Sequence, residues 1–216
     1  MKVNKTYAVF GLGRYGTAVA RELVENGMEV IAVDSEQKIV NDAAAYLPVC
    51  KCADVTDAEV ISRLGIGNID TVIICMASNL EASVMATTLC KEAGVKNVIV
   101  KCASSMQQKI LKRIGADMVV FPENESGIRL AKNLLSSGFI DMLSLSNDVS
   151  IVEIDVKAEW IGKNLIELNL RKKYGFNIVA IKRHENVNVN INPEQPLDSE
   201  DTLIVIANTA KLSKLK

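Results

Sequence analysis

The sequence lacks several features on which catalytic and membrane proteins depend. It has one histidine, His184. No acid or cysteine motif stands around it at ligand spacing, so a surface position at a strand end is favoured over catalysis. No apolar run approaches the roughly eighteen residues that a membrane-spanning helix requires. The N-terminal residues MKVNKTYAVF lead into a strand and do not resemble a signal peptide. We therefore expect a cytoplasmic protein.

Charge and cysteine content argue against further classes of protein, namely nucleic-acid-binding, membrane-surface and metal or redox proteins. The formal net charge is -1, which gives no electrostatic reason to expect a nucleic acid or an anionic membrane as partner. Neither a nucleophile elbow nor a Walker lysine motif is present. Five cysteines form no CxxC pair, and we expect them to be small buried side chains in a reducing compartment, with metal or redox use as the alternative. They are Cys50, Cys52, Cys75, Cys90 and Cys102.

What the sequence does contain is a glycine-rich turn between two apolar strands, within residues 7–34 (YAVFGLGRYGTAVARELVENGMEVIAVD). Gly11 permits a tight turn, Gly13 leaves the backbone open to a pyrophosphate, and Gly16 lets the following helix pack closely. The phosphate would bind at the helix N-terminus. Asp34 would accept hydrogen bonds from ribose hydroxyls and repel a 2′-phosphate. This order of features predicts a nucleotide-binding βαβ unit.

Apolar strands and helices continue to alternate after this unit. About six strands over roughly 120 residues indicate right-handed crossovers and a Rossmann-like, doubly wound parallel sheet. The predicted later strands are Val49–Cys52, Thr71–Met76, Asn97–Lys101 and Met118–Phe121.

Polar residues follow several of these strands at the edge of the sheet where ligands bind. Asp54 and Thr56 would approach the base or ribose of a nucleotide, although Thr56 or Asp57 equally fits the N-cap of the next helix. Ser78 or Asn79 fits an N-cap, with a phosphate or ribose contact as the alternative.

Three further residues near these strand ends are candidates for capping or phosphate contacts. Ser35 fits the N-cap of the helix after Asp34. Arg14, in the glycine turn, would pair with terminal phosphates or with an acid of a second subunit, or would remain solvated. Lys101, at a strand end, fits either a phosphate contact or an ordinary surface lysine.

The pattern changes after Pro122. We predict a first domain over residues 1–122, a linker helix over 123–142 and a small α+β domain over 143–216. Glu123 fits the start of a helix, with a cation site as the alternative. In the last domain we predict a short helix in NLIELNLRKKYG and strands in VSIVEIDV, FNIVAIKR, NVNVNIN and TLIVIAN. A core of this size is marginal alone, so dimerisation is expected.

Several phrases together resemble the cytoplasmic regulatory subunits of the Trk/Ktr potassium-uptake systems. They are GLGRYG, the acid at Asp34, ADVTD, IVKCAS, GADMVVFPE, LRKKYGFNIVAIKR and EDTLIVIAN. The resemblance covers nearly the whole chain and implies an RCK_N (TrkA-N) domain followed by an RCK_C (TrkA-C) domain. It further implies dimers that assemble into an octameric ring on the inner face of a membrane-embedded potassium-translocating subunit, with ATP or ADP, and in some members NAD(H), in the first domain.

The resemblance also implies specific contacts. Arg14, from a neighbouring subunit, and Lys101 would reach terminal phosphates, and Ala53 stands where the family usually has glycine. Glu123 would bind a divalent cation or Na⁺ at a dimer contact. A cyclic di-AMP site in the second domain would use Arg171, Asn177, Ile178 and Pro193. The implied nucleotide site comprises Gly11, Gly13, Arg14, Tyr15, Gly16, Asp34, Ser35, Asp54, Val55, Thr56, Ala77, Asn79 and Lys101.

The second domain offers no cluster of acid, base and nucleophile around which to build a catalytic site. We therefore expect the nucleotide to be sensed and not transformed. The expected function is nucleotide-dependent gating of potassium transport, with an NAD-dependent oxidoreductase or a stand-alone nucleotide sensor as alternatives.

Overall fold

A computed structural model describes residues 5–135, 142–146 and 148–208. The chain forms two compact units, residues 1–123 and 124–216, here named the first unit and the second unit. The predicted linker, 123–142, includes residues outside the described part; its first half forms a helix, α6 (Pro122–Leu135). Within the described residues, no helix is both long and apolar enough to cross a bilayer.

The first unit alternates strands with helices, as the sequence predicted. Its sheet has six parallel strands in the order β3-β2-β1-β4-β5-β6. The first three strands are added toward one edge of the sheet and the last three toward the other, so the strand order reverses between β1 and β4. Ligands of such sheets usually bind at this point. The elements are β1 (Thr6–Phe10), α1 (Arg14–Glu25), β2 (Glu29–Asp34), α2 (Gln37–Ala43), β3 (Cys50–Cys52), α3 (Ala58–Arg63), a 3₁₀ turn (Ile66–Asn68), β4 (Thr71–Ile74), α4 (Leu80–Glu92), β5 (Asn97–Lys101), α5 (Ser105–Arg113) and β6 (Met118–Val120).

Apolar side chains cover both faces of this sheet. Phe10 and Ile74 belong to one buried cluster, whereas Val9 and Ile73, their neighbours along the strands, belong to a second cluster on the other face. Side chains alternate between faces along a strand, so a continuous apolar run supplies two cores. The prediction of a doubly wound sheet is confirmed.

The second unit contains a five-stranded antiparallel sheet in the order β10-β9-β11-β8-β7. Its core includes Trp160, Phe176 and Leu203, all nearly inaccessible to solvent, and Tyr174 stacks on Phe176 at a centroid distance of 5.4 Å. The elements are β7 (Met142–Ser144), β8 (Val149–Asp155), a 3₁₀ turn (Ala158–Trp160), α7 (Leu165–Leu168), α8 (Leu170–Tyr174), β9 (Asn177–Arg183), β10 (Asn186–Asn188) and β11 (Asp201–Asn208).

Two predictions about the second unit were wrong in detail. The single helix predicted in NLIELNLRKKYG is two helices, because Asn169 takes a left-handed conformation with φ 47° between α7 and α8. The strand predicted over residues 186–192 ends at Asn188. There the side-chain oxygen of Asn188 accepts a 2.9 Å hydrogen bond from the backbone N–H of Asn190, and asparagine side chains commonly compete with strand pairing in this way.

Candidate functional site

The glycine turn after β1 has the geometry that close packing of α1 requires. Gly11 has φ +87°, a conformation that L side chains rarely adopt, and its N–H donates to the carbonyl of Val33 at 2.8 Å. A Cβ on Gly16 would lie 1.9 Å from the Gly11 carbonyl oxygen, whereas a Cβ on Gly13 would meet nothing within 4 Å. Gly16 is therefore needed for the fold, and Gly13 leaves open space in front of the helix N-terminus.

Asp34, the last residue of β2, holds this turn in place. One carboxylate oxygen accepts the Leu12 N–H at 2.7 Å, and the other accepts the Glu36 N–H at 2.9 Å. Leu12 lies between Gly11 and Gly13, so a single carboxylate links the glycine turn to the start of α2. The predicted N-cap role of Ser35 is wrong: α2 begins at Gln37, so Glu36 is its N-cap, and Glu36 makes no side-chain capping bond.

A cavity of about 530 Å³ opens beside the turn, at the carboxyl ends of β1 to β4. Eight predicted site residues line it: Gly11, Gly13, Asp34, Ser35, Asp54, Val55, Thr56 and Asn79. These residues come from four separate connections, and the parallel sheet brings them together because the carboxyl ends of its strands share one edge.

The loop after β3 is ordered by its own side chains. The carboxylate of Asp54 accepts the Thr56 N–H at 2.9 Å and the Thr56 hydroxyl at 2.7 Å. These hydrogen bonds, the backbone one foremost, lower the pKa of Asp54. Asp57 is the N-cap of α3, accepting the Glu59 N–H at 2.8 Å. Of the two predicted capping residues, Asp57 is therefore the cap, and Thr56 faces the cavity.

Sequence reasoning missed part of the lining. Met76 follows β4 and Met85 lies on α4, and their flexible apolar side chains suit the face of a planar base. Both stand in apolar stretches that otherwise indicate core, so nothing in the sequence marked them as lining residues. Ser78 and Asn79 both line the cavity; Asn79 also caps α4, as predicted, by accepting the Ala82 N–H at 3.0 Å. The further lining residues are Val33, Glu36, Ala53, Cys75, Met76, Ser78, Glu81, Ala82 and Met85.

The cavity is acidic. Four carboxylates line it, and none of the described lining residues is lysine or arginine; the acids are Asp34, Glu36, Asp54 and Glu81. Carboxylates accept hydrogen bonds from hydroxyl groups and repel phosphates. The cavity is therefore suited to a nucleoside, and a phosphate chain would lie outside it, toward the glycine turn.

Five predicted site residues do not line the cavity: Arg14, Tyr15, Gly16, Ala77 and Lys101. Gly16 and Ala77 are buried. Arg14 is the first residue of α1 and is exposed. Lys101 is 15% exposed, donates to Glu123 at 2.6 Å and lies 5.4 Å from the ring centroid of Tyr15. The hydrogen bond from Lys101 lowers the pKa of Glu123.

At Glu123, where a divalent cation or Na⁺ was predicted, the structure has the ammonium group of Lys101. Glu123 is paired with Lys101, and the described residues contain no group of three or more histidine, cysteine, aspartate or glutamate side chains that could hold a metal ion. His184 is exposed, and its Nε2 lies 3.3 Å from Glu200, in line with the predicted surface position.

The cysteines differ in exposure. Cys90 and Cys102 are fully buried, as expected, whereas Cys52 is exposed and Cys50 and Cys75 are half-buried. The expectation of five buried side chains is therefore wrong for Cys52, because β3 is the edge strand of the sheet.

A second cavity, of about 440 Å³, lies in the second unit beside α7, α8 and β9. Three residues of the predicted cyclic di-AMP site, Arg171, Asn177 and Ile178, line it. Pro193 does not, although its carbonyl accepts the Leu165 N–H at 3.1 Å from the neighbouring helix start. The other lining residues are Leu165, Ile166, Asn169, Leu170 and Phe176.

Comparison with protein families matches both halves of the chain. The TrkA-N domain model matches residues 7–122, and the TrkA-C domain model matches residues 149–216. The Ktr system potassium uptake protein C of Bacillus subtilis (strain 168) is 38% identical over 214 residues, covering 99% of this chain and 97% of that protein. The Ktr system potassium uptake protein A of Vibrio alginolyticus is 35% identical, with 99% and 97% covered.

Solved structures share the fold. A structure of the GsuK channel superposes with a TM-score of 0.71 at 16% identity, covering 99% of this chain and 39% of that chain. A structure of the GsuK channel bound to NAD gives a TM-score of 0.67 at 15% identity, with 99% and 39% covered. At these identities the comparison concerns the fold alone.

Proposed function

The chain belongs to the Ktr family of potassium uptake proteins, with a TrkA-N domain followed by a TrkA-C domain, and from this premise we propose that it is a regulatory subunit of a potassium transport system that responds to nucleotides. The observation that carries the proposal is the acidic cavity beside the glycine turn. It pairs a nucleoside-sized space with an open helix N-terminus, where backbone N–H groups favour an anion.

In the proposed complex an adenine nucleotide spans both parts of the site. Asp34 and Asp54 accept hydrogen bonds from the nucleoside, Met76 and Met85 contact the base, and the phosphates bind over Gly13. Asp34 would disfavour a 2′-phosphate, so the ligand classes are ATP or ADP, with NAD(H) as the alternative. The GsuK structure bound to NAD shares the fold of this chain.

Arg14 distinguishes among these nucleotides in the proposal. Its side chain is exposed at the start of α1, so it is free to reach the terminal phosphate of a nucleotide held by a neighbouring copy. A triphosphate offers that arginine a charge that a diphosphate lacks. A ligand shifts an assembly between two shapes only through contacts that differ between them, and this contact would supply the difference.

The proposed assembly is the one that the family resemblance implies. Dimers of this chain form an octameric ring on the cytoplasmic face of a membrane-embedded potassium-translocating subunit, and nucleotide exchange changes the shape of the ring. Glu123 would bind a divalent cation or Na⁺ once Lys101 releases it. The relatives carry the names of uptake proteins, which favours regulation over an oxidoreductase activity.

A second ligand is proposed for the second unit, because three residues of the cyclic di-AMP site implied by the sequence line one cavity there. Arg171 offers a guanidinium for a phosphate, and Asn177 offers an amide for a base edge.

Calorimetric titration of the full chain with ATP, ADP, NADH and cyclic di-AMP tests both sites. Gly13→Ala should weaken ATP binding by tenfold or more and leave cyclic di-AMP binding unchanged, and Arg171→Ala should do the reverse, so each variant is the control for the other. Failure of every nucleotide to bind the unaltered chain would contradict the proposal. Co-purification with a potassium-translocating membrane subunit tests the partner.

A further inference from the structure

The ammonium of Lys101 is held by two groups before any ligand arrives. It donates to the carboxylate of Glu123 at 2.6 Å, and it lies over the ring of Tyr15, 5.4 Å from the centroid. Lys101 is only 15% exposed, whereas Glu123 is 62% exposed. The lysine is therefore held beside α1, and its carboxylate partner is the more exposed member of the pair.

Strand order places Lys101 on the opposite side of the glycine turn from Asp34 and Asp54, the acids of the nucleoside cavity. Asp34 and Asp54 follow β2 and β3, whereas Lys101 ends β5, and β1 and β4 lie between them. Tyr15 is the second residue of α1. A phosphate chain that starts in the acidic cavity and crosses the N-terminus of α1 therefore runs toward Lys101.

Cys75 supports this placement. Its side chain lines the nucleoside cavity. Burial raises the pKa of its thiol to about 12, while the positive charge of Lys101 acts in the opposite direction. Lys101 therefore interacts electrostatically with Cys75 in the lining of the cavity, although its ammonium donates to Glu123.

We propose that Glu123 competes with the terminal phosphate of the bound nucleotide for Lys101, and so lowers the affinity for long phosphate chains relative to short ones. This inference rests on the proposed nucleotide site. A monophosphate ends over the glycine turn and leaves the Lys101–Glu123 pair intact. A triphosphate reaches Lys101 and must displace the carboxylate, because two anions next to one ammonium repel each other.

The test compares AMP and ATP binding by calorimetry in a chelator, so that no metal ion bridges phosphate and carboxylate. Glu123→Gln should tighten ATP binding about twofold to fivefold, the range that corresponds to a partly exposed ion pair, and should leave AMP binding unchanged. Thermal unfolding of each variant confirms that the fold is retained.

A general charge effect is separated from competition by a double-mutant cycle. In a Lys101→Met background, Glu123→Gln should no longer change ATP affinity, because the contested ammonium is absent. Glu125→Gln removes a carboxylate from the same end of α6 and serves as the charge control.

Three outcomes would overturn the inference. They are an equal gain for AMP and ATP, a gain that persists without Lys101, and a gain of the same size in Glu125→Gln. If the unaltered chain binds AMP and ATP and Glu123→Gln changes neither, only this inference fails. If the unaltered chain binds no nucleotide, the proposed function fails with it.

Discussion

The carboxylate of Asp34 accepts a 2.7 Å hydrogen bond from the backbone N–H of Leu12, twenty-two residues earlier in the chain. Leu12 is nearly fully buried, so water cannot readily replace this acceptor. The acid that the sequence assigned to the ribose therefore also orders the turn assigned to the phosphates, and loss of its side chain affects both.

Replacement of Asp34 by alanine tests this double role. Asp34→Ala should lower the free energy of unfolding by roughly 2 kcal/mol, because two backbone N–H groups lose a charged acceptor, and should weaken ATP binding more than adenosine binding. Urea unfolding and calorimetry measure the two effects. Asp57→Ala, which removes a carboxylate that caps α3 outside the cavity, should cost about 1 kcal/mol with unchanged ATP affinity. Equal losses of adenosine and ATP affinity in Asp34→Ala would show that Asp34 contacts the ribose but does not order the turn that binds the phosphates.

The two later glycines of the turn should respond differently to alanine. In Gly16→Ala the new Cβ would lie 1.9 Å from the Gly11 carbonyl oxygen, so we expect a loss of about 3 kcal/mol or more in unfolding free energy. Gly13→Ala meets open space and should cost less than about 1 kcal/mol, while its methyl group blocks the phosphate. Thermal unfolding separates the two variants. Similar stability of both would contradict the packing assigned to Gly16.

In the second unit, Asp201 and Asp198 provide a matched pair around Arg183. Asp201 is 5% exposed and binds the guanidinium through both oxygens, at 2.8 and 3.1 Å; Asp198 is 52% exposed and lies 3.9 Å away. Asp201→Asn should destabilise the protein by roughly 2 kcal/mol, since the remaining amide can accept only one of the two hydrogen bonds from Arg183. Asp198→Asn should have little effect, because an exposed ion pair contributes little to stability. Chemical denaturation of both variants checks the difference. Comparable losses would show that burial does not distinguish the two acids.

Stability should fall at alkaline pH because of Cys90. Burial raises the pKa of its thiol from 9.0 to about 12. The unfolded chain therefore releases this proton first, and stability declines as the pH rises from about 9 toward 12. Between pH 8 and pH 10 this thiol should account for about 1.4 kcal/mol of the decline. Denaturation at both pH values in the parent and in Cys90→Ala measures the contribution, and identical declines in the two proteins would refute it.

Much of the site could be predicted because its signals are local. The βαβ unit from Tyr7 to Asp34 depends on apolar periodicity and on glycines that are required within a few residues of each other. The polar residues Asp54, Thr56 and Asn79 follow predicted strands directly. Met76 and Met85 could not be predicted as lining residues, since their sequence surroundings are those of core residues and only the sheet edge gives them a cavity to face.

Local competition between side chain and backbone explains the wrong details. Ser35 is a good capping residue by type, but Asp34 accepts the N–H of Glu36 and α2 begins only at Gln37, so Glu36 takes the N-cap position. Asn169 and Asn188 interrupt elements whose apolar pattern continues past them. Hydropathy patterns do not report such interruptions, because the asparagines fall at positions where any polar residue fits the period.

The sequence by itself determined the class of the fold, the glycine turn and its acid, and the family, because these depend on residue order and short spacings. Only the tertiary structure decided which side chains share the cavity and which do not. Arg14 and Lys101 were predicted at the terminal phosphates of the nucleotide site that contains Asp34 and Asp54, and strand order sets Lys101 two strands beyond the glycine turn and against Glu123. That separation cannot be predicted from spacing along the chain. Which strands become neighbours in a doubly wound sheet depends on how the helices pack against both faces of the sheet.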